Sequence, residues 1–136
     1  MNADIVREAY GCEFDRRDPE SLRLPLVAFV SRLDPQIRFE PDAHEPTARV
    51  IRGQDGVKRM LESAQEMWDA YRYELSVIED LDEERVLVCG TVHARPRGNG
   101  TNLALPFANV WTMRDGKAVR IESYDDRAEA LAALDG

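Results

Sequence analysis

The stretch that most constrains this chain runs from Leu103 to Asp126 and reads LALPFANVWTMRDGKAVRIESYDD. Two apolar-rich runs flank an Asp-Gly pair, which is the strongest short-range signal for a hairpin because glycine readily adopts the positive φ of a tight turn. We therefore predict two long antiparallel strands. Alternation gives each strand one mostly apolar face with polar groups embedded in it: Phe107, Asn109 and Trp111 on the first strand, and Val119, Ile121, Ser123 and Asp125 on the second. Such faces are typical of the wall of a ligand pocket.

Helical and strand patterns fill the rest of the chain. Apolar spacing near 3.6 predicts helices at residues 3–16, 18–33, 57–71 and 126–134, and alternation predicts strands at 36–40, 48–52, 73–79 and 85–95. Helices first and a run of strands later predict an α+β fold, a cone-shaped curved antiparallel sheet with helices packed on its concave face. At 136 residues the chain fits a single domain, 1–136. The enclosed space is where a small molecule would bind.

Composition excludes several classes of function. The net charge of −8 argues against nucleic acid or an anionic membrane as partner, since both attract clustered Lys and Arg. No apolar run approaches the roughly 20 residues that span a bilayer, and the first residues lack a signal-peptide core, so we expect a cytoplasmic protein. Cys12 and Cys89 are expected to be reduced thiols. No phosphate loop or nucleophile elbow suggests a cofactor or covalent chemistry.

Several aromatic and polar residues are candidates for the pocket. Tyr10 and Phe14 lie four apart on the first predicted helix, so both side chains can point into a core or a cavity. A buried phenol needs a hydrogen-bond partner, which makes the Tyr10 hydroxyl a candidate for the pocket floor. The Asn109 amide lies among apolar neighbours and must be satisfied by ligand, water or other side chains. Trp68 and Trp111 belong either to the core or to flat walls for a ring system.

The two histidines are weaker candidates. His93 is predicted in mid-strand, either as a satisfied sheet-face residue or as a pocket residue, and His44 lies in an irregular loop that is either exposed or over the pocket mouth. Together with Glu40 they form the only metal-ligand set, but their spacing is not that of ligands, so we predict no metal.

The order of elements and several motifs resemble a known superfamily. LDPQIRFEP, RGQDGV before the third long helix, and LPFANVWTMRDGKAVRIESYDDRAEAL resemble the nuclear transport factor 2-like superfamily, and within it SnoaL-like domains. The resemblance covers essentially the whole chain. The superfamily includes ketosteroid isomerases, SnoaL-type polyketide cyclases and limonene epoxide hydrolases, alongside members without enzymatic activity, so it implies the fold and leaves the function open.

The resemblance also suggests catalytic positions. Isomerases of this fold place a general-base aspartate before a proline at the end of the first strand, and the ungapped match puts Glu40 there, before Pro41. A shift of one residue puts Phe39 there instead and turns the side chain to the opposite sheet face. Cyclases and epoxide hydrolases carry a carboxylate near the end of the last strand, where this chain has Ser123. Asp125 remains as an acid at the cavity rim or as a solvated strand end.

Two hypotheses follow for the function. The first is a small-molecule-binding SnoaL-like domain for an apolar ligand, with no complete catalytic set. The alternative is an acid/base enzyme, resembling an isomerase, cyclase or epoxide hydrolase, in which Glu40 or Asp125 moves the proton. In that alternative the carbonyl of an apolar or cyclic substrate would be polarised by Asn109, Tyr10 or His93. Apolar residues alternate on both faces of residues 85–94, so we further predict a homodimer through the outer sheet face.

Overall fold

The computed structural model describes residues 2–10, 14–15, 29–41, 49–98 and 100–135. Within them lie three long helices and seven strands: α1 (Asn2–Ala9), β1 (Phe14–Asp15), β2 (Leu33–Glu40), β3 (Ile51–Arg52), α2 (Gly53–Met67), β4 (Trp68–Asp80), β5 (Arg85–Pro96), β6 (Leu103–Arg114), β7 (Lys117–Tyr124) and α3 (Arg127–Asp135). The strands form one open sheet in the order β1-β4-β5-β6-β7-β2-β3. The predicted α+β class is confirmed. The sheet is mixed, because β2 runs parallel to β7 whereas the other pairs are antiparallel.

The predicted hairpin is β6–β7. Its turn has Asp115 at φ 53° and Gly116 at φ 77°, the pair of positive values that a two-residue type I′ turn requires. Aspartate and glycine tolerate these angles better than other residues. The resulting register sets Asn109 opposite Ser123 on adjacent strands.

A glycine and a bulge bend the sheet at one point. Gly90 of β5 faces β4 where the pairing register shifts between Leu75 and Val77. A Cβ atom on Gly90 would lie 2.1 Å from the carbonyl oxygen of Glu74, so only glycine permits this close approach of the two backbones. The bulge and the glycine together let the long strands curve.

The sheet buries a different core on each face. We call the face that carries Val86, Val88, Trp111 and Ile121 the inner face; α1 and α2 pack on it through Val6 and Val57 among others. The outer face carries Leu87, Cys89, Ala108, Val110 and Tyr124, and α3 packs there through Ala130. The terminal helix therefore lies on the face opposite to the other two, which differs from the expectation that all helices share the concave face.

Three predicted boundaries are wrong in detail. The first helix ends at Ala9 rather than residue 16, and Phe14 pairs with Tyr71 in the sheet, so Tyr10 and Phe14 do not share a helical stripe. The helix predicted at 57–71 spans Gly53–Met67. Trp68 and Tyr71 belong to β4 because pairing with β5 outweighs a helical periodicity that continues by chance into the strand.

The predicted second helix lies mostly outside the described residues, which leave out 16–28. Phe29 and Val30 are helical as predicted. Residues 31–32 form a turn, and β2 begins at Leu33 and continues through Asp34 and Pro35, so the helix ends earlier than predicted. The strand is therefore longer than the predicted 36–40.

Candidate functional site

A tyrosine directly after α1 forms the centre of the candidate site. Tyr10 is 4% exposed, and its backbone N–H closes the last turn of the helix by donating to the Arg7 carbonyl at 3.2 Å. Its phenolic oxygen accepts two hydrogen bonds, from Asn109 Nδ2 at 2.7 Å and from Trp111 Nε1 at 2.8 Å. The helix end and the hairpin strand β6, about a hundred residues apart in sequence, thus meet at one polar point, which we call the Tyr10 triad (Tyr10, Asn109, Trp111).

Aromatic rings surround this polar point. The Tyr10 ring lies 5.0 Å from Tyr73 and 6.3 Å from Phe29 in edge-on contacts, and is stacked at 5.8 Å on Phe107, measured between ring centroids. Trp111 lies 5.7 Å away, also edge-on, and is fully buried. Rings at these distances attract one another and keep water from the enclosed hydrogen bonds.

Burial keeps the phenol neutral. Desolvation raises the pKa of Tyr10 far above its ordinary value of 10.0, and the hydrogen bonds from Asn109 and Trp111 offset only part of this rise. Burial likewise raises the pKa of Tyr73, with a smaller contribution from Tyr71 and Tyr10 nearby. At physiological pH the site therefore presents neutral hydroxyl groups in an apolar setting.

The Tyr10 hydroxyl also has a hydrogen of its own to donate. A phenolic oxygen that accepts two hydrogen bonds still has one O–H to donate, and no residue within the described ranges accepts it. Two donors on the oxygen polarise this O–H, because each hydrogen bond in a chain strengthens the next. Chemically, the arrangement suits a carbonyl or phenolate oxygen, which it would stabilise as negative charge develops.

The inner face brings several predicted residues to this site. Asn109 pairs with Ser123 and Trp111 with Ile121 across the hairpin, so the half-buried Ser123 adjoins the triad. Phe39 pairs with Ile121 from the other side and is 7% exposed within the same core. Phe107 lies on the same face. Residues of the adjacent strands β2, β6 and β7 therefore form one continuous surface, which we call the inner wall.

Glu40 lies elsewhere. Since Phe39 points to the inner face, alternation puts Glu40 on the outer face. There its carboxylate accepts a hydrogen bond from Arg120 Nε at 2.6 Å and lies 3.4 Å from Arg38 Nε. The described structure gives no support to the general-base role that the family resemblance suggested, because the strand pleat turns this carboxylate away from the Tyr10 triad.

The other candidate acid and the histidine are also outside the inner wall. Asp125 is exposed, and its backbone N–H donates to Glu129 Oε1 at 3.2 Å. Asp126 accepts a hydrogen bond from the Glu129 backbone N–H at 2.8 Å and so caps the terminal helix. His93 alternates with the inward-facing Ala94 and lies 3.6 Å from the exposed carboxylate of Glu74.

The remaining predicted residues are placed as follows. Trp68 is the half-buried first residue of β4, opposite Pro96, and Phe14 contributes its backbone to β1. His44 lies outside the described residues. Within those ranges, no group of three or more His, Cys, Asp or Glu side chains is arranged to hold a metal ion, and no helix is long and apolar enough to cross a membrane.

Sequence reasoning missed Tyr73 and Phe29 as neighbours of Tyr10. The alternation of Tyr71, Tyr73 and Leu75 carried a signal for the first, because it puts these residues on one face of β4. No local pattern in the sequence pointed to the contact between Phe29 and Tyr10.

Comparison with known proteins agrees with this architecture. A 1.30 Å crystal structure of an NTF2-like protein of unknown function from Burkholderia pseudomallei K96243 superposes with a TM-score of 0.72 at 24% identity, covering 99% of this chain and 98% of that one. TerC, co-crystallised with polyporic acid, gives 0.70 at 23% identity over 99% and 98% of the two chains. A putative polyketide cyclase from Pseudomonas putida KT2440 gives 0.67 at 17% identity over 97% and 96%.

Sequence identities below 25% show a shared fold only. The family is shown by a match between the sequence and a family profile. No curated protein matches the chain. The profile of the SnoaL-like domain family, however, matches residues 6–121, which include the end of α1, most of the sheet and all three members of the Tyr10 triad. The chain belongs to the SnoaL-like domain family.

Proposed function

We propose that this SnoaL-like domain binds a small, largely apolar molecule whose carbonyl or phenolate oxygen accepts a hydrogen bond from Tyr10. The observation that carries the proposal is the buried phenol oxygen that accepts from two donors, 2.7 and 2.8 Å away, while its own hydroxyl hydrogen has no acceptor among the described residues. A buried donor is costly to leave without a partner, so a ligand that supplies the acceptor gains the net value of one hydrogen bond, about 0.5–1.5 kcal/mol. The surrounding rings favour an apolar body for the ligand.

A relative of the same fold supports a small organic ligand. TerC was crystallised with polyporic acid, and its structure covers nearly the whole of this chain. The inner wall of this chain offers rings and isolated polar groups, with Phe107, Asn109 and Ser123 next to Tyr10. We therefore place the ligand against the inner face beside the triad.

Binding is favoured over acid/base catalysis. An isomerase, cyclase or hydrolase-like reaction needs a base within hydrogen-bond reach of the proton that it removes. Glu40 is paired with Arg120 on the outer face, and Asp125 is exposed at the end of β7. The alternative of an acid/base enzyme thus lacks its two candidate carboxylates at the triad.

Matched probes test the hydrogen bond to Tyr10. Acetophenone and ethylbenzene have nearly the same shape, but only the first has a carbonyl oxygen. We expect the wild-type protein to bind acetophenone more tightly than ethylbenzene. In the Tyr10→Phe variant the ratio of the two dissociation constants should shrink about three- to tenfold, because one hydrogen bond of about 0.5–1.5 kcal/mol is lost. Titration calorimetry measures the dissociation constants of both probes for both proteins.

Nitrogen–proton NMR spectra locate the probe. The indole N–H of Trp111 and the side-chain amide of Asn109 both bond to Tyr10 and should shift on binding, whereas the indole of Trp68 serves as the internal control. Equal preference for the two probes in wild type and variant would contradict the proposal. So would a shift of Trp68 without one of Trp111.

We also propose that two copies associate through the part of the outer face that α3 leaves uncovered. Thr91 pairs with Pro106 and His93 with Ala104 on this face, and both β6 residues are exposed. Ala104→Glu should convert a dimer to a monomer in sedimentation at micromolar concentration, while Thr101→Glu in the adjacent loop should not. A wild-type monomer would refute the dimer.

The net charge of −8 favours a small apolar ligand and a second copy of the chain as partners over nucleic acid.

A further inference from the structure

The apolar stripe of β6 continues past the Tyr10 triad to the surface. No register shift interrupts β6 between Leu103 and Thr112, so Leu103 and Leu105 share the inner face with Phe107, Asn109 and Trp111. Exposure changes along this line: Trp111 is fully buried, Phe107 is half-buried, Leu105 is 45% exposed and Leu103 is 36% exposed. One continuous surface thus runs from the core to solvent.

The end of β7 explains the exposure. This strand pairs with β6 only from Ala108 to Arg114, so residues 103–107 of β6 have β5 as their one neighbour in the described sheet. Across that pairing Leu105 faces Val92 and Leu103 faces Ala94, and both partners are apolar. The inner face is therefore open along one side here and carries no charged group on these two strands.

A third exposed apolar side chain lies at the same end of the molecule. Met67, at the end of α2, is 65% exposed, and its carbonyl accepts the N–H of Arg97 at 3.0 Å, directly after β5. In the described part of the chain, Met67, Leu103 and Leu105 are the large hydrophobic residues that are exposed. Their gathering at one end, rather than over the whole surface, is typical of a binding surface.

We infer that the ligand is elongated, with its acceptor oxygen at Tyr10 and an unbranched apolar tail that lies over Phe107, Leu105 and Leu103. The inference rests on the proposed function and narrows its ligand class to a head-and-tail molecule such as a long-chain aryl ketone. Four residues of strand separate Phe107 from Leu103, which gives the tail about 14 Å of apolar surface. The stripe is continuous with the triad and uncharged, and both properties suit a hydrocarbon tail.

A homologous series of ligands tests the tail. Propiophenone, hexanophenone and octanophenone share one head and differ only in tail length. Full burial of a methylene contributes about fourfold in affinity, and contact with one open face contributes about half of that free energy, so we expect the dissociation constant to fall about twofold per added carbon. Titration calorimetry on the whole chain measures it.

Variants of β6 distinguish the binding of the ligand tail from the binding of its head at Tyr10. Leu105→Ser should flatten the dependence on tail length and leave the affinity for propiophenone unchanged, whereas Ala104→Ser, on the opposite face of the same strand, should change neither. If propiophenone binds but longer tails bring no gain, the elongated ligand is refuted and the head site stands. If no ketone binds, or Tyr10→Phe binds all of them equally well, the proposed function itself fails.

A second copy of the chain is the competing occupant of this stripe. If Leu105→Ser abolishes self-association in sedimentation while the gain per carbon stays as in wild type, the stripe faces another protomer and the inference is wrong. If self-association is unchanged and the gain disappears, the tail lies on the stripe.

Discussion

Replacing Tyr10 by phenylalanine is the sharpest test of the buried triad. The substitution removes one oxygen atom and keeps the ring, so the aromatic contacts with Phe29, Tyr73 and Phe107 remain. What changes is the hydrogen bonding. Trp111 Nε1 and Asn109 Nδ2 both lose their acceptor at the same time.

The cost follows from the burial of each donor. Trp111 is fully buried, so its indole N–H has no access to water and its loss of an acceptor should cost about 1–3 kcal/mol. The Asn109 side chain is only half-buried, which puts the cost of its lost acceptor near the lower end of that range, about 1 kcal/mol. Together we expect Tyr10→Phe to lower the free energy of unfolding by about 2–4 kcal/mol. For a chain of this size that corresponds to a fall in Tm of about 6–20 °C.

Urea denaturation followed by circular dichroism measures the change. Tyr73→Phe is the matched control, since it removes a hydroxyl from the neighbouring ring without taking an acceptor from Asn109 or Trp111. A double-mutant cycle with Trp111→Phe isolates the interaction between Tyr10 and Trp111. We expect a coupling free energy of about 1 kcal/mol or more between these two positions. A loss below about 0.5 kcal/mol for Tyr10→Phe, or a coupling near zero, would show that the triad does not contribute as argued.

Three further predictions follow from the fold and the charges. Gly90→Ala should destabilise the protein by about 3 kcal/mol or more, since its Cβ would meet a carbonyl oxygen at 2.1 Å, whereas Gly56→Ala in α2 meets only a methyl group at 3.1 Å and should be neutral or stabilising in thermal denaturation. The raised pKa values of Tyr10 and Tyr73 stabilise the fold below pH 10 and this contribution is lost as pH rises further, so their phenolate absorbance should appear only together with unfolding; earlier ionisation would contradict their burial. Glu40→Gln should leave ketone affinity unchanged and cost less than about 1 kcal/mol, because its arginine partner is 44% exposed; loss of binding would place the carboxylate at the ligand after all.

The hairpin and the terminal helix could be predicted because their signals are local. Asp115-Gly116 determines its own turn, and Asp126 with Glu129 forms its own cap, independent of the rest of the chain. The caps and turns of such elements depend on a few neighbouring residues, so one sequence suffices to recognise them. The same holds for the side chains of β6, whose alternation correctly put Asn109 and Trp111 on one face.

The failures concern elements whose structure depends on distant partners. Trp68 and Tyr71 extend a helical periodicity in the sequence, but the long pairing with β5 makes them strand residues. Phe14 lies at helical spacing from Tyr10 and is nevertheless paired with β4. In both cases hydrogen bonding across the sheet, which no local pattern reveals, outweighs the spacing of apolar residues.

The pleat of a single strand decides what the inner wall can do. Phe39 takes the inward position and Glu40 the outward one, so the described part of the wall contains hydrogen-bond donors from Tyr10, Asn109 and Ser123 but no carboxylate. A wall of neutral donors stabilises lone pairs and developing negative charge on a ligand oxygen, yet it cannot accept a proton from carbon. Because Asn109 and Trp111 both donate to the Tyr10 oxygen, the directions left to its hydroxyl hydrogen are restricted, which would limit the conformational entropy lost when the proposed ligand accepts it. Such preorganisation favours recognition of an acceptor oxygen, and it is why we place binding before catalysis for this chain.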